Sequence, residues 1–287
     1  MNTRGGGGRV YRFDDLLSLC PDSAPPPPPL VFIHVPMTAG TSVNHVLMNN
    51  YRSRLDSYGS DFFPRYFPSE FVALTGPPRR NDTRRPVFFT GPIDIANDVF
   101  RYMPVRYVAI TLLRDPIERM ITHYRDHVAS HSTLGDDVHS GKFTVLDFVR
   151  RFYPSYLHQH EIFAPRSRQV TDALRALENN LSIFGFHDRF DEFIVLMRDL
   201  LGWSDIAYTP LDSSPDDAAP VEASHIEELR EIVAKDIMFY NAARELYTRR
   251  VAGLNPGLTA AVERFQRDRK ETLANRRSDH MWSRFYA

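Results

Sequence analysis

The sequence predicts an α/β fold, a parallel sheet wound with crossover helices, on three observations. Strand-like and helix-like patterns alternate from residue 30 onward. The strand candidates are continuous apolar runs rather than strict alternations, as expected where both faces of a sheet are covered. Two of those strands run directly into helix-start signals of the kind that hold anions at the carboxyl edge of such sheets. At 287 residues and 43% hydrophobic composition, the chain is long enough to bury a sizeable core.

Taken in order, residues 1–29 form a flexible Gly/Pro-rich segment. It runs from Gly5–Gly8 through an amphipathic patch, Val10–Leu19, to the stiff spacer Pro25–Pro29. Residues 30–254 are the α/β domain and residues 255–287 a basic helical tail. Strands are predicted at Leu30–Val35, Val87–Thr90, Val105–Leu113 and Leu181–Phe186. Helices are predicted at Thr41–Tyr51, Pro116–Ser130, Thr144–Phe152, Thr171–Asn179, Asp188–Leu201 and Glu222–Arg250. The last is the most periodic, with Ile226, Leu229, Val233, Ile237, Tyr240 and Tyr247 on one side, and nothing in it demands chemistry.

Composition excludes several function classes. A formal net charge of -1 argues against a general polyanion-binding surface, so no nucleic-acid partner is expected, and an anion site must be built locally. Positive charge is almost all arginine, since Lys142, Lys235 and Lys270 are the only lysines. A single cysteine, Cys20, leaves neither a disulfide framework nor a thiol cluster, and no metal site is apparent. No run approaches the roughly 18 apolar residues of a membrane span, and no secretory apolar core opens the chain. The expectation is a cytoplasmic protein; its oligomeric state is open.

Two segments carry the chemistry. In the first, the apolar run Val31–Val35 turns through Pro36, Met37, Thr38, Ala39, Gly40, Thr41 and Ser42 into a helix. Small side chains, a glycine and a helix start make this a phosphate-sized cradle. Met37 stands where such a loop is expected to hold a cation. In the second, a strand ending at Leu113 is followed by Asp115, Pro116 and Glu118 at the N-cap, first and third positions of a helix. Arg114 then lies at a strand's carboxyl end and Thr122 about 10 Å along the helix, so that both can converge on one phosphate. Ile117, Ile121, Tyr124 and Val128 are expected to face the sheet. Read alone, Arg114 is better explained as an ion-pair partner for a nearby carboxylate. Together, the two segments imply a ligand with two separated phosphates.

Both segments resemble the sulfotransferases that use 3'-phosphoadenosine-5'-phosphosulfate (PAPS), in the branch of the heparan sulfate 2-O-sulfotransferases and related carbohydrate sulfotransferases. The loop pattern H-[IV]-P-K-T-A-G-T-S appears as His34-Val-Pro-Met-Thr-Ala-Gly-Thr-Ser42, and L-R-[DN]-P-x-x-R-x-x-S-x-Y as Leu113-Arg-Asp-Pro-Ile-Glu-Arg-Met-Ile-Thr-His-Tyr124. Phe184–Phe193, running on to Leu201-Gly-Trp203, looks like the family's later strand–helix segment. The resemblance implies a P-loop-like, sulfotransferase-type sheet. In it Thr38, Gly40, Thr41 and Ser42, on the loop that includes Pro36, Met37 and Ala39, hold the 5'-phosphate, and Arg114 with Thr122 holds the 3'-phosphate. It further implies in-line sulfuryl transfer from PAPS, leaving 3'-phosphoadenosine-5'-phosphate (PAP), to a hydroxyl of a carbohydrate, glycolipid or peptide tyrosine.

Thr122 replaces the pattern's serine but keeps its hydroxyl, and two other positions depart in ways that bear on activity. Met37 replaces the lysine that neutralises charge on the transferring group, and Pro92 stands where the F-x-x-G-H pattern places a histidine base. Asp94, His34 and His123 are candidate substitutes for the base, each with an ordinary structural reading beside it, a turn cap for Asp94 and a packed ring for the histidines. Arg79, Arg80, Arg84 and Arg85 are candidate cations. Tyr58, Phe62, Phe63, Tyr66 and Phe67 could floor an acceptor site or simply pack. The alternative is a PAPS- or PAP-binding homologue, or an inactive variant, with little transfer activity. A small-molecule kinase is weaker, because the Walker Lys-Ser/Thr pair is absent.

Overall fold

The computed structural model describes residues 9–17, 28–56, 65–67, 71–73, 88–91, 94–96, 100, 106–130, 137–138, 140–156, 158–208, 221–252 and 257–275. Its centre is a mixed sheet of β1 (Arg9–Val10), β2 (Leu30–Ile33), β3 (Arg65–Phe67), β4 (Phe71–Ala73), β5 (Phe88–Gly91), β6 (Arg106–Leu113) and β7 (Ile183–Phe186). The strand order is β3-β4-β5-β2-β6-β7, with β1 pairing the start of β6. Strands β1, β2, β5, β6 and β7 pair in parallel, and β3 and β4 add an antiparallel hairpin at the β5 edge. That hairpin was not expected; its two three-residue strands are too short to show a period of two.

The helices are α1 (Phe13–Leu17), α2 (Gly40–Asp56), α3 (Pro116–Ser130), α4 (Val145–Tyr156), α5 (Gln159–Phe163), α6 (Val170–Asn180), α7 (Phe190–Leu201), α8 (Ala223–Ile232), α9 (Ala234–Ala252) and α10 (Leu258–Asn275). All four residues of β2 and seven of the eight in β6 are buried, which explains why these strands read as unbroken apolar runs. Val43, Val46, Leu47 and Tyr51 of α2, with α6, α7, α9 and α10, close one core around the sheet. Gly202 ends α7 in a left-handed conformation at φ 68°, its N–H donating to the Arg198 carbonyl.

Several expectations change. The predicted helix Glu222–Arg250 is two helices broken at Val233, which adopts φ -98°, ψ 17°. The break lets α8 bury Leu229 among helices while α9 buries Phe239, Tyr240, Ala243 and Tyr247 in the sheet core. The apolar face of α3 does not cover the sheet: Met120 and Tyr124, flanked by Ile117, Ile121 and Val128, pack with Val145, Phe148, Val149, Leu229 and Val233 in a separate cluster of helices. Within the segment predicted to be flexible, residues 9–17 are docked instead. Strand β1 pairs with Arg106 and Tyr107, and Leu16 is buried. The Ser182 hydroxyl bridges this strap to the sheet, donating to the Tyr11 carbonyl at 2.6 Å and accepting the Ala109 N–H at 3.0 Å. The amphipathic patch Val10–Leu19 supplied the apolar side chains for that docking.

What positions the site is the divergence of crossovers. From β2 the chain leads to β5 on one side, and from β6 it leads to β7 on the other. The carboxyl ends of β2 and β6 lie side by side, in register at Ile33 and Thr111, and form the kind of crevice where open α/β sheets bind ligands. Thr111 bridges the two strand ends by donating its hydroxyl to the Ile33 carbonyl at 2.8 Å.

Candidate functional site

Both sequence motifs open into this crevice. After β2 the chain makes a tight loop in which Met37 (φ 65°) and Ala39 (φ 68°) are left-handed. Left-handed residues alternating with right-handed ones in a tight turn are the backbone pattern of an anion-binding nest, and the loop delivers the chain into α2 at Gly40. The N–H groups that open α2 thus face the same end of the sheet as the nest. Thr38 is fully buried and its hydroxyl donates to the Val35 carbonyl at 2.7 Å, so its side chain braces the loop. Ser42 is buried just behind it.

Gly40 is required by a close approach. A Cβ there would lie 1.9 Å from Nε2 of His34. The His34 ring stacks on Phe32 with centroids 5.5 Å apart, and burial pushes its pKa down to about 4. It is a neutral, packed ring at pH 7.

The second motif forms as its three helix-start signals predict. Asp115 Oδ1 accepts the N–H groups of Ile117 at 2.9 Å and Glu118 at 3.0 Å, capping α3. Arg114 leaves the end of β6 toward the first loop, where its Nη1 donates to the Met37 carbonyl at 3.2 Å. Its Nε also lies 3.8 Å from Glu118 Oε2; because Glu118 is 64% exposed, that ion pair is weak and displaceable. The anion reading and the ion-pair reading of Arg114 therefore describe the same side chain. Thr122 lies two turns along α3 and is half-buried. His123, on the same helix, packs edge-on against Phe148. Burial, with the charges of Arg119 and His127, holds its pKa near 4.

Asp94 Oδ1 accepts the Ala96 N–H at 2.7 Å, the turn-capping arrangement anticipated as its structural role. Pro92, the arginines at 79, 80, 84 and 85, and Tyr58, Phe62 and Phe63 lie outside the described residues, as does Cys20. Tyr66 and Phe67 belong to β3 at the far edge of the sheet.

Two residues that act on the crevice were given no role by the sequence reading. Arg119 is fully buried, and its Nη1 points to the Pro36 carbonyl at 3.4 Å. Two guanidinium groups thus meet neighbouring carbonyls of the first loop, Arg119 at Pro36 and Arg114 at Met37. Gln159, fully buried at the start of α5, pairs with the backbone of Arg114: its Nε2 donates to the Arg114 carbonyl at 2.8 Å and its Oε1 accepts the Arg114 N–H at 3.1 Å. Arg119 was visible as the second fixed arginine of the L-R-[DN]-P-x-x-R pattern, without an assigned role. Gln159 sits in no recognisable pattern.

A carboxyl-edge crevice with a nest on one side and an arginine on the other can hold two anionic groups. Similarity to a known protein agrees with that chemistry: the chain is 24% identical over 312 residues to galactose-3-O-sulfotransferase 3 of Bos taurus, the match covering 94% of this chain and 70% of that protein. This supports a carbohydrate sulfotransferase. It does not single out the heparan sulfate 2-O branch. No family model matches the chain. Among the described residues, no helix is long and apolar enough to cross a membrane.

Proposed function

We propose that this chain binds PAPS across the β2–β6 crevice and transfers its sulfuryl group to a hydroxyl of a sugar. The observation that carries the reading is the link between the two motifs: the Arg114 guanidinium reaches the carbonyl of Met37, in the first loop, at 3.2 Å. In this arrangement the N–H groups of the nest and of the start of α2 hold the 5'-phosphosulfate, while Arg114 and Thr122 hold the 3'-phosphate. Catalysis is positioning and charge stabilisation of an in-line displacement. The sulfur–oxygen bond to the 5'-phosphate breaks as the acceptor oxygen bonds to sulfur, the acceptor proton leaves to a base, and PAP departs. A sugar acceptor is favoured by the galactose-directed name of the relative; glycolipid and tyrosine hydroxyls are the competing acceptors.

One observation favours a second reading, a binding protein with little transfer activity. Met37 sits at the heart of the nest and offers neither charge nor proton. Titration calorimetry with PAP, beside a sulfate-transfer assay on galactosides, a glycolipid and a tyrosine peptide, separates the readings. Binding with transfer to a galactoside supports the proposal, and binding without transfer to any acceptor supports the second reading. Failure to bind PAP overturns both.

A further inference from the structure

Arg114 has to leave the end of β6 in a fixed direction to serve a ligand and the first loop at once, and the residue just past a strand ordinarily lacks that restraint. Here the restraint comes from a buried polar chain beginning on α9. Asp236 is fully buried, and its carboxylate accepts the Gln159 N–H at 3.0 Å, the His160 N–H at 3.0 Å and the His160 Nδ1–H at 2.6 Å. These bonds fix the first turn of α5. Gln159 then closes two hydrogen bonds with the backbone of Arg114, and Arg114 bonds to the Met37 carbonyl. The side-chain amide behaves as one extra residue of sheet, satisfying both backbone groups where β6 stops.

Two physical arguments favour a positioning role. A buried carboxylate is costly unless its lone pairs are taken up, and the three donors to Asp236 supply that satisfaction. Clamping both backbone groups of Arg114 fixes its Cα–Cβ direction, and a displacement of about 1 Å at such a group can cost a hundredfold in function. The alternative use of this cluster is a metal. His158, His160 and Asp236 offer ligand atoms within 4.8 Å of one another. The 2.6 Å separation of His160 Nδ1 and Asp236 Oδ1 is a hydrogen-bond length, shorter than the roughly 3.3 Å between two ligands on one tetrahedral zinc with bonds of about 2.0 Å, so these two atoms bond to each other rather than share an ion, and a metal would have to be held through His160 Nε2.

We infer that Asp236 and Gln159 are positioning residues for the anion-binding Arg114, acting through its backbone; this rests on the functional reading proposed above. The test compares PAP with AMP, which lacks the 3'-phosphate, by calorimetry on the wild type, Gln159→Met and the milder Asp236→Asn, well below each melting temperature. Positioning predicts that PAP weakens by about tenfold in Gln159→Met, while AMP affinity hardly changes, so the PAP-to-AMP ratio collapses. Hydrogen exchange at the Arg114 amide, read without any ligand, should accelerate in the same variant. An unchanged ratio, or equal weakening of PAP and AMP, overturns the inference in favour of plain structural support, as does unchanged exchange at Arg114. Stoichiometric zinc in the purified protein, with PAP affinity lost on chelation, overturns it in favour of a metal site. A wild type that binds neither nucleotide overturns the functional reading, and the exchange measurement then still decides whether Gln159 holds the strand end.

Discussion

The two turns that end β2 and β6 lie side by side yet are made differently. The loop after β2 is shaped by its backbone, with left-handed Met37 and Ala39, a braced Thr38 and a helix entered at Gly40. The turn after β6 is made of side chains, with Asp115 as cap, Arg114 and Arg119 as cations, and Gln159 as a clamp from α5. Left-handed non-glycine residues cost on the order of 1–3 kcal/mol each, so the first loop depends on its surroundings. Its carbonyls at Pro36 and Met37 are held by the two arginines of the second turn. Dipoles on one side and charge on the other make the two turns complementary, and among the described residues the loop after β2 contributes no charged side chain of its own.

Supplying the missing charge is the largest perturbation of this contrast. Met37→Lys adds an ammonium to the loop after β2 without altering the left-handed backbone requirement at that position. Turnover in a sulfate-transfer assay should rise by about a hundredfold to a thousandfold, the scale of one charge-stabilising donor. Unchanged turnover in a variant that still binds PAP would show that some other cation already serves the transferring group.

Removing charge from the other side comes next. Arg114→Met deletes a charged hydrogen-bond donor, worth about 1.5–3 kcal/mol, or roughly a tenfold to hundredfold loss of PAP affinity. Calorimetry should show that loss for PAP and a much smaller one for AMP. Equal losses for the two nucleotides would mean that Arg114 serves the loop rather than the 3'-phosphate.

The close approach behind the first loop gives a smaller, structural effect. Gly40→Ala drives a methyl into the His34 ring, and overpacking of this kind costs about 1–3 kcal/mol. The melting temperature should fall, and His34→Ala in the same chain should recover part of the loss. Strictly additive single and double variants would show that the two positions are not coupled.

How much of this was legible follows from how each feature is encoded. The parallel strands and the cap at Asp115 are local patterns, and β2, β6 and the start of α3 appear within a residue or two of their expected bounds. The docking of residues 9–17 was half visible as an amphipathic patch, but pairing with Arg106 and Tyr107 joins segments about a hundred residues apart and leaves no local trace. Asp236 shows the same limit. It lies between Val233 and Tyr240 on the buried stripe of a helix in which nothing appeared to demand chemistry, and a carboxylate at that spacing was the available signal. What it holds, Gln159 and His160, is 77 and 76 residues away and unpredictable from periodicity.

The smallest expected effect concerns pH and again separates the two turns, each of which keeps a histidine neutral. Burial lowers the pKa of His34 from 6.5 to about 4, and burial with Arg119 and His127 does the same for His123. A base whose folded pKa is depressed takes up protons more readily in the unfolded chain. The stability it contributes is therefore complete above about pH 6.5 and is lost as the pH falls toward about 4. Melting temperatures should decline across that window, and less steeply in His123→Phe, which keeps an aromatic ring against Phe148 and removes one of the two proton acceptors. A similar change in slope for His34→Phe would place equal weight on the backbone-built loop. Identical slopes in the wild type and both variants would assign the acid sensitivity to groups outside these turns, and the two histidines would then be packing elements whose charge state the fold does not oppose.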